Sequence, residues 1–357
     1  MKKTIALVTG AFLLTAVACK KDDDSNNTSV DFNTLKKEVL TDFTNKVAVA
    51  GYKDLDEASV NLYNSLQTLN TDPSDANLAT ARQSWKDMRG IWEQCEGFLF
   101  GPVEDNDYDP NMDTWPTDHV QLDSLLNSNS PLTLADIQNA TLSLRGYHPI
   151  EYILFGTDGN RTAASLTARQ KTYMISLAED LKGTCHDLYL SWTAAPTLFA
   201  NQVINAGNGS DKYAKQQEVF IALCDGLAGI CDEVGGGKMK EPFDAQDPTI
   251  VESPYSGNSL TDFKNNMIGL QNVYLGKYKE DGKGLNDLVA ARNKALDNKI
   301  QNQLAAAISS FDNITVPFEE AIVSQRVQVQ QTMTALGTLQ TTLEAELKPF
   351  IIQYITD

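Results

Sequence analysis

The chain has 357 residues and a formal net charge of −18 at pH 7, from 29 Lys and Arg against 47 Asp and Glu. Such a charge repels phosphate groups rather than neutralising them, which argues against non-specific nucleic-acid binding and makes cations the expected charged partners. The length suits two domains of ordinary size or one large helical domain, and we expect two. A high content of Leu, Ala, Gln, Asn, Lys and Asp favours helix over strand.

The N-terminus, MKKTIALVTGAFLLTAVAC, has the pattern of a secretory signal: lysines, an apolar stretch too short to span a bilayer, then small residues. Residues 16–19 resemble a bacterial lipobox, which predicts cleavage of a signal peptide, residues 1–18, and acylation of Cys19. The alternative is an ordinary signal cleaved near Ala18. Residues 19–30 are predicted to be the acylated cysteine and a flexible tether, because KKDDDSNNTS contains no apolar residue to bury. We expect a cell-envelope lipoprotein anchored to the outer membrane, periplasmic or surface-exposed.

Beyond residue 30, apolar residues recur at helical spacing, and no alternating stretch is long enough to predict a strand. The clearest pattern predicts a bundle helix whose buried face is formed by Leu78, Ala81, Trp85, Met88, Trp92, Cys95 and Leu99. The segment NAGNGS, residues 205–210, favours a boundary between two halves because Gly, Asn and Ser are flexible. The sequence therefore predicts an all-α fold of two helical bundles, residues 31–205 and 206–357.

Two segments between these helices are predicted to be irregular. Residues 101–116 are acidic and bounded by prolines, and residues 235–258 contain GGGK and further prolines. The glycines that follow Val234 predict the end of a helix.

The cysteines indicate core residues rather than a metal site. Cys95, Cys185, Cys224 and Cys231 each fall in an apolar stripe, and no CxxC spacing exists. Cys224 and Cys231 are two helical turns apart, about 10 Å, which is too far to form a disulfide without unwinding the helix. We expect buried thiols.

GYHPIEYILFG, residues 146–156, contains one of only three histidines. His148 and Glu151 are three residues apart, so on a continuous helix their side chains share one face and could bind one metal ion. A structural interpretation is equally open: Pro149 suits the first helical position, with His148 as N-cap and Glu151 reaching back to its backbone N–H. Tyr147 and Tyr152 would then form the hydrophobic staple. The two interpretations are compatible.

Two carboxylates lie near the end of the predicted bundle helix. Glu96 borders the apolar stripe, so we expect it to be partly desolvated and in need of a partner. Glu93 points away from the stripe and follows Arg89 by four residues, which predicts a surface ion pair.

The acidic loop that follows contains Asp105, Asp107, Asp109 and Asp113. An EF-hand starting at Asp105 would need Gly and Glu where Pro110 and Pro116 stand, so that calcium motif is absent. A looser cation site remains open.

Five landmarks in chain order make the sequence resemble the imelysin family, also called the M75 peptidase family. The GxHxxE motif has Gly146, His148 and Glu151 in its positions. The other landmarks are the run from Trp85 to Pro102, DTWP at residues 113–116, KMKEP at residues 238–242 and SPYSGNSLTDF at residues 253–263. The resemblance covers roughly residues 35–350.

This resemblance implies an all-α fold of two helical-bundle halves with the motif near their junction. It also implies a metal cluster of His148, Glu151, Glu96 and Asp113. Residues implied to contact a ligand around that cluster, several of them from the second half, are Glu93, Trp115, Tyr255, Ser256 and Asp262.

The favoured function is a non-enzymatic binding component of iron uptake that holds iron, another divalent or trivalent metal, or haem. Its partners would be the membrane, through the lipid on Cys19, and an iron-uptake transporter or receptor, with no nucleic acid. The alternative is a metallopeptidase using His148, Glu151 and Glu96, although GxHxxE lacks the second histidine of HExxH enzymes. A second alternative is a peptide- or glycan-binding protein in which the motif only begins a helix.

Overall fold

The computed structural model describes residues 31–356, so the predicted signal peptide, Cys19 and tether lie outside the described residues. Every regular element in the described range is helical, as predicted. No helix of this range is long and apolar enough to cross a membrane.

The first part of the chain is organised around three long helices. The α-helices up to residue 205 are α1 (Phe32–Asp42), α2 (Val49–Thr71), α3 (Asp75–Cys95), α4 (Pro102–Asp105), α5 (Tyr108–Asp113), α6 (His119–Asn127), α7 (Leu134–Gln138), α8 (Tyr147–Phe155), α9 (Ala168–Thr193) and α10 (Phe199–Ile204). Helix α2 packs against both α3 and α9.

The second part contains eight further α-helices. They are α11 (Gln216–Asp232), α12 (Lys240–Ala245), α13 (Ser259–Leu275), α14 (Leu285–Arg292), α15 (Lys294–Ser310), α16 (Phe318–Ser324), α17 (Arg326–Thr342) and α18 (Lys348–Tyr354). Helix α17 packs against α11 and α15.

Shorter helical turns join or extend these helices. The π-helical turns are Phe43–Ala48, Glu233–Lys238 and Leu343–Leu347, and the 3₁₀ turns are Glu96–Phe98, Leu142–Leu144, Ala163–Ser165, Pro248–Ile250 and Phe311–Asn313.

Local sequence explains the long helices. In α3, the Ser74 hydroxyl accepts a hydrogen bond from the Asn77 backbone N–H at 3.3 Å, which satisfies one of the free donors at the helix start. In α9, Thr167 and Gln170 form a capping box. The stripe residues of α3 from Leu78 to Cys95 are buried, which confirms the predicted bundle helix. Leu99, predicted for the same face, lies beyond the end of α3 and is only half-buried.

The structure corrects two predictions about irregular segments. Residues 101–116 contain the short helices α4 and α5. GGGK does not end a helix: the chain continues from α11 through the π-helical turn Glu233–Lys238 almost directly into α12. The free carbonyls at the end of α11 are satisfied by this continuation rather than by a glycine cap.

Helices from both parts contribute to a single hydrophobic core. Helix α3 packs along α13, and α11 contacts the 3₁₀ turn that follows α3. The domain boundary near residue 205 stays a prediction. Four cysteines are free and buried, which agrees with their expected role in the core: Cys95, Cys185, Cys224 and Cys231.

Candidate metal centre

An arginine with no exposed surface lies at the centre of the site. Arg89, on α3, forms ion pairs with Glu93 and Asp113, and its Nη2 lies 3.0 Å from Glu252 Oε1. Its Nε lies 4.0 Å from Asp262 Oδ1. Burial alone would lower the pKa of Arg89, but the surrounding carboxylates, Asp113 foremost, outweigh burial and raise it. Arg89 is therefore a permanent internal counter-ion for Glu93, Asp113 and Glu252.

Gly146 of the GxHxxE motif brings α8 against the end of α5. It has a φ of 76°, and a Cβ at this position would lie 1.9 Å from the Met112 carbonyl oxygen. Only glycine fits both the backbone conformation and this close approach. Because Asp113 follows Met112, the contact places His148 beside the Asp113 carboxylate.

The predicted capping role of His148 is wrong. Helix α8 begins at Tyr147 with Gly146 as its N-cap residue, so His148 is already inside the helix. Its side chain points inward and has no exposed surface.

Both nitrogens of His148 approach carboxylates. Nε2 lies 3.0 Å from Asp113 Oδ1 and 3.9 Å from Glu252 Oε1, and Nδ1 lies 3.7 Å from Glu151 Oε2. The imidazole is therefore surrounded by carboxylates from three separate segments of the chain. Burial would lower the pKa of His148, but Asp113 and Glu151 raise it to about 9. The Trp115 ring covers the imidazole, with centroids 4.8 Å apart.

Glu151 joins α8 to the segment that precedes α13. Its Oε1 accepts hydrogen bonds from the backbone N–H groups of Tyr255 and Ser256, at 3.2 and 2.8 Å, and from the Ser256 hydroxyl at 2.7 Å. Glu151 therefore does not cap its own helix, because this segment supplies better-placed donors. The predicted proximity of Tyr255 and Ser256 to the motif agrees with these contacts.

Asp262 faces Arg89 from the first turn of α13. Its oxygens accept hydrogen bonds from Ser253 Oγ and Asn258 Nδ2, each at 2.6 Å. Burial raises the pKa of Asp262 to about 8, although Arg89 opposes the shift.

Glu93 and Glu96 are held together by an amide from α13. Asn266 Nδ2 donates to Glu93 Oε2 at 2.6 Å and to Glu96 Oε2 at 2.5 Å. The predicted surface position of Glu93 is wrong, because α13 covers that face of α3. The predicted desolvation of Glu96 agrees with its position: burial, assisted by Glu93, raises its pKa well above the usual value.

A cleft of about 550 Å³ opens beside the cluster. Lys238 lines it, and its ammonium lies 3.0 Å from Glu233, 3.4 Å from Glu252 and 3.7 Å from Glu96. Burial would lower the pKa of Lys238, but Glu252, Glu96 and Glu233 raise it instead. Trp115 also lines this cleft.

Two sets of ligand atoms in the described part of the chain are close enough to bind one metal ion. The first set consists of Asp113, His148 and Glu252, and the second of Glu96, Asp109 and Asp113. Within each set the ligand atoms lie within 4.8 Å of one another. Carboxylate oxygens and an imidazole nitrogen suit divalent and trivalent transition metals. The second set lacks a nitrogen ligand, and burial raises the pKa of Asp109 to about 7.

The sequence therefore identified part of this constellation. His148, Asp113 and Glu96 belong to the two sets, whereas Glu151 belongs to neither and contacts His148 instead. Of the acidic loop, Asp105 and Asp107 remain exposed, and Asp105 pairs with Lys212 at 2.5 Å. Sequence reasoning missed Glu252, whose only signal was a carboxylate directly before the SPYSGN landmark.

Comparisons with known proteins agree with the fold. Iron-regulated protein A of Synechococcus elongatus is 29% identical over 324 residues, which cover 89% of this chain and 87% of that protein. A crystal structure from Parabacteroides distasonis, described as a candidate iron-regulated protein A precursor, has a TM-score of 0.81 and 25% identity, covering 90% of this chain and 95% of that one. The structure is also similar to an imelysin-like protein from Psychrobacter arcticum, with a TM-score of 0.71 and 16% identity. The match covers 90% of this chain and 96% of that one, and at this identity it supports only the fold.

The family model described as imelysin, peptidase M75, matches residues 48–348. That range includes all five landmarks found in the sequence, and it covers well over half of the chain. The protein therefore belongs to the imelysin family.

Proposed function

We propose that the protein is a non-enzymatic metal-binding protein that holds an iron ion through Asp113, His148 and Glu252. The observation that carries the proposal is the fully buried His148 imidazole, whose Nε2 converges with oxygens of Asp113 and Glu252 so that the three ligand atoms lie within 4.8 Å of one another. One imidazole nitrogen and two carboxylate oxygens at one buried point form a ligand set that suits a transition-metal ion. A metal ion between Nε2 and the oxygens of Asp113 and Glu252 would be bound by all three.

In this proposal Glu151 positions His148 rather than binding the metal. Its Oε1 is already occupied by three donors, and its Oε2 lies 3.7 Å from His148 Nδ1. A carboxylate on the far nitrogen of a metal-binding histidine fixes the ring orientation and increases its basicity. The His–x–x–Glu spacing would then supply one ligand and its support.

Iron is favoured among the metals by the ligand chemistry and by the names of two similar proteins. Carboxylates and imidazole bind iron well, and the proteins from Synechococcus elongatus and Parabacteroides distasonis are both named for iron regulation. Haem is the weaker candidate, because the lining of the cleft is acidic and would repel the propionates of haem. Its acidic residues are Asp232, Glu233, Glu241 and Glu252.

The metallopeptidase alternative has less support. A catalytic metal needs an open position for water and substrate, whereas Arg89, Lys238 and buried carboxylates surround the candidate ligands. Chelator-sensitive cleavage of an unfolded protein by the wild type, lost in Glu151→Ala, would favour that alternative.

Metal binding by the purified protein tests the proposal. After stripping with a chelator, the protein is offered Fe(II), Fe(III), Zn(II), Cu(II) and haem in turn, and binding is followed by calorimetry and elemental analysis. We expect saturable iron binding that His148→Ala weakens at least about 100-fold, because one of three ligands is lost. His186→Ala is the matched control, since His186 is 54% exposed and pairs with Asp56.

The proposal is wrong if the wild type binds no metal saturably or if His148→Ala binds iron as well as the control does. Haem binding that survives His148→Ala would favour the cleft over the metal centre. Binding of a peptide or glycan by both variants would favour the second alternative.

We also propose that the protein is anchored to the outer membrane through a lipid on Cys19 and delivers its metal to an uptake transporter or receptor. The lipobox-like residues 16–19 and the acidic tether support the anchor. Cys19→Ala should move the protein from the detergent fraction to the soluble fraction and abolish incorporation of labelled fatty acid. Unchanged fractionation would contradict the lipid anchor.

A further inference from the structure

Lys238 lies where the cleft meets the proposed metal centre. Its ammonium is 3.4 Å from Glu252 Oε1, the same oxygen that lies 3.0 Å from Arg89 Nη2 and 3.9 Å from His148 Nε2. One ligand oxygen of the proposed centre is therefore already paired with two cationic side chains.

We propose that Lys238 is a tethered cation that competes with the metal for Glu252 and must turn away before the metal binds. This inference rests on the proposed function and adds the residue that controls access to that site. Because Arg89 already lies 3.0 Å from Glu252 Oε1, a metal ion there beside the Lys238 ammonium would place three cations around one oxygen. Their mutual repulsion is strong at the low effective dielectric of a partly buried site.

Lys238 is the cation that can move. Arg89 has no exposed surface and is held by Glu93, Asp113 and Asp262 as well as by Glu252. The Lys238 side chain is 18% exposed, and lysine carries its charge on a flexible stem.

Glu233 provides the position to which Lys238 can turn. It already lies 3.0 Å from the ammonium, and its own side chain is 48% exposed. Both residues belong to the π-helical turn Glu233–Lys238, so their pairing is local and does not depend on the metal centre. In the outward arrangement the lysine charge stays paired while Glu252 keeps Arg89 alone of its two cationic partners.

Calorimetric titration of the chelator-stripped protein with Fe(II) under anaerobic conditions tests this competition. Lys238→Met should lower the dissociation constant for Fe(II) about tenfold. This factor is expected if about one tenth of the metal-free molecules have Lys238 in the outward arrangement. Glu233→Gln should weaken Fe(II) binding severalfold, because Lys238 loses its outward partner. The matched control is Lys240→Met, which removes the same charge from an exposed surface pair with Asp244.

If Lys238→Met binds Fe(II) no more tightly than Lys240→Met does, the inference is wrong while the proposed metal centre stays intact. Absence of binding by the wild type, or binding that is independent of His148, instead overturns the proposed function. Should Lys238→Met fail to fold because Glu252 and Glu96 lose their counter-ion, Lys238→Gln keeps a hydrogen-bond donor at the position and is expected to show the same tightening. A Glu233→Gln variant that binds as the wild type does would show that Lys238 does not turn to Glu233.

Discussion

At the residue scale, Arg89 is the side chain on which the charges of the site depend. It pairs with three carboxylates and approaches a fourth, with no exposed surface. Breaking a buried ion pair by removing one partner leaves the other charge uncompensated, which typically costs about 3–5 kcal/mol. Arg89 thus stabilises the fold whether or not a metal is bound.

We expect Arg89→Met to lower the free energy of unfolding of the metal-free protein by about 3–5 kcal/mol. Urea unfolding at pH 7 measures this effect. Lys53→Met is the control, because Lys53 pairs with Glu57 on the surface, with 58% and 62% of the two side chains exposed, and should change little. Equal effects of the two substitutions would mean that the carboxylates around Arg89 are neutral or solvated.

Asp262 makes the stability of the protein depend on pH. Its pKa is raised to about 8 in the folded protein, against about 4 in an unfolded chain. Between these values the folded state holds a proton that the unfolded state releases, so the contribution of Asp262 is fully present below about pH 4 and is lost as pH rises through about 8.

The slope of stability against pH measures this effect. Between pH 5 and pH 7 Asp262 should lower the free energy of unfolding by up to about 1.4 kcal/mol per pH unit as pH rises. Asp262→Asn has a similar shape and cannot titrate, so urea unfolding at pH 5, 6 and 7 should give a shallower decline. Parallel slopes for the two proteins would show that Arg89 keeps Asp262 ionised.

Local sequence predicted single residues only where the signal was itself local. His148 stood out because its residue type is rare here, and Gly146 because it belongs to a motif. The predicted surface position of Glu93 is wrong because the apolar stripe of α3 reveals only the helix face that packs within the first part of the chain. The face that α13 covers carries no such stripe. Glu252 and Asn266 carry no local pattern, since their roles depend on contacts with residues more than one hundred positions away.

At the element scale, the crossing of α3 and α13 holds the two halves of the site together. A Cβ on Gly269 would lie 2.3 Å from the Gln94 carbonyl oxygen, so the two helix backbones are nearly in contact at that point. This crossing sets the distance from Arg89 and Glu93 on α3 to Asp262 and Asn266 on α13. A methyl group there must push the helices apart.

Gly269→Ala should therefore destabilise the protein by about 3 kcal/mol, the upper part of the range for overpacking. Gly229→Ala is the matched control within α11, where a Cβ meets nothing within 4 Å and the better helix propensity should stabilise by about 0.5–1 kcal/mol. Thermal or urea unfolding of both variants decides between them. A neutral Gly269→Ala would show that the crossing can relax.

The periodicity of apolar residues predicted the long helices but not the residues at which they end. The stripe of α3 was continuous, so its burial could be predicted. The run GGGK predicts a helix end because glycine commonly ends helices. In the structure Gly235 instead packs closely against Leu336 on α17, where an added Cβ would lie 3.1 Å from the leucine side chain, so a small residue is favoured. A close contact between helices and a helix end look alike in a single sequence.

At the scale of the whole molecule, the candidate ligands come from three separate segments. Asp113 ends α5, His148 lies in the first turn of α8, and Glu252 lies between the turn Pro248–Ile250 and α13. The sequence could predict the helices, but the meeting of these segments follows from the packing of α3 against α13 and of Gly146 against Met112. Before the structure, only the family resemblance predicted that Asp113 and His148 lie close together.

A centre assembled in this way exists only in the folded chain, so the metal should stabilise the whole fold by linkage. With free iron at 100 times the dissociation constant, the free energy of unfolding should rise by about 2.7 kcal/mol, and it should continue to rise with the logarithm of the concentration. Calorimetric scans at several Fe(II) concentrations measure the effect. His186→Ala should keep the rise and His148→Ala should lose it. If wild-type binding is saturable but the unfolding midpoint does not move, the unfolded chain binds the metal equally well, and exposed carboxylates rather than the buried centre hold it.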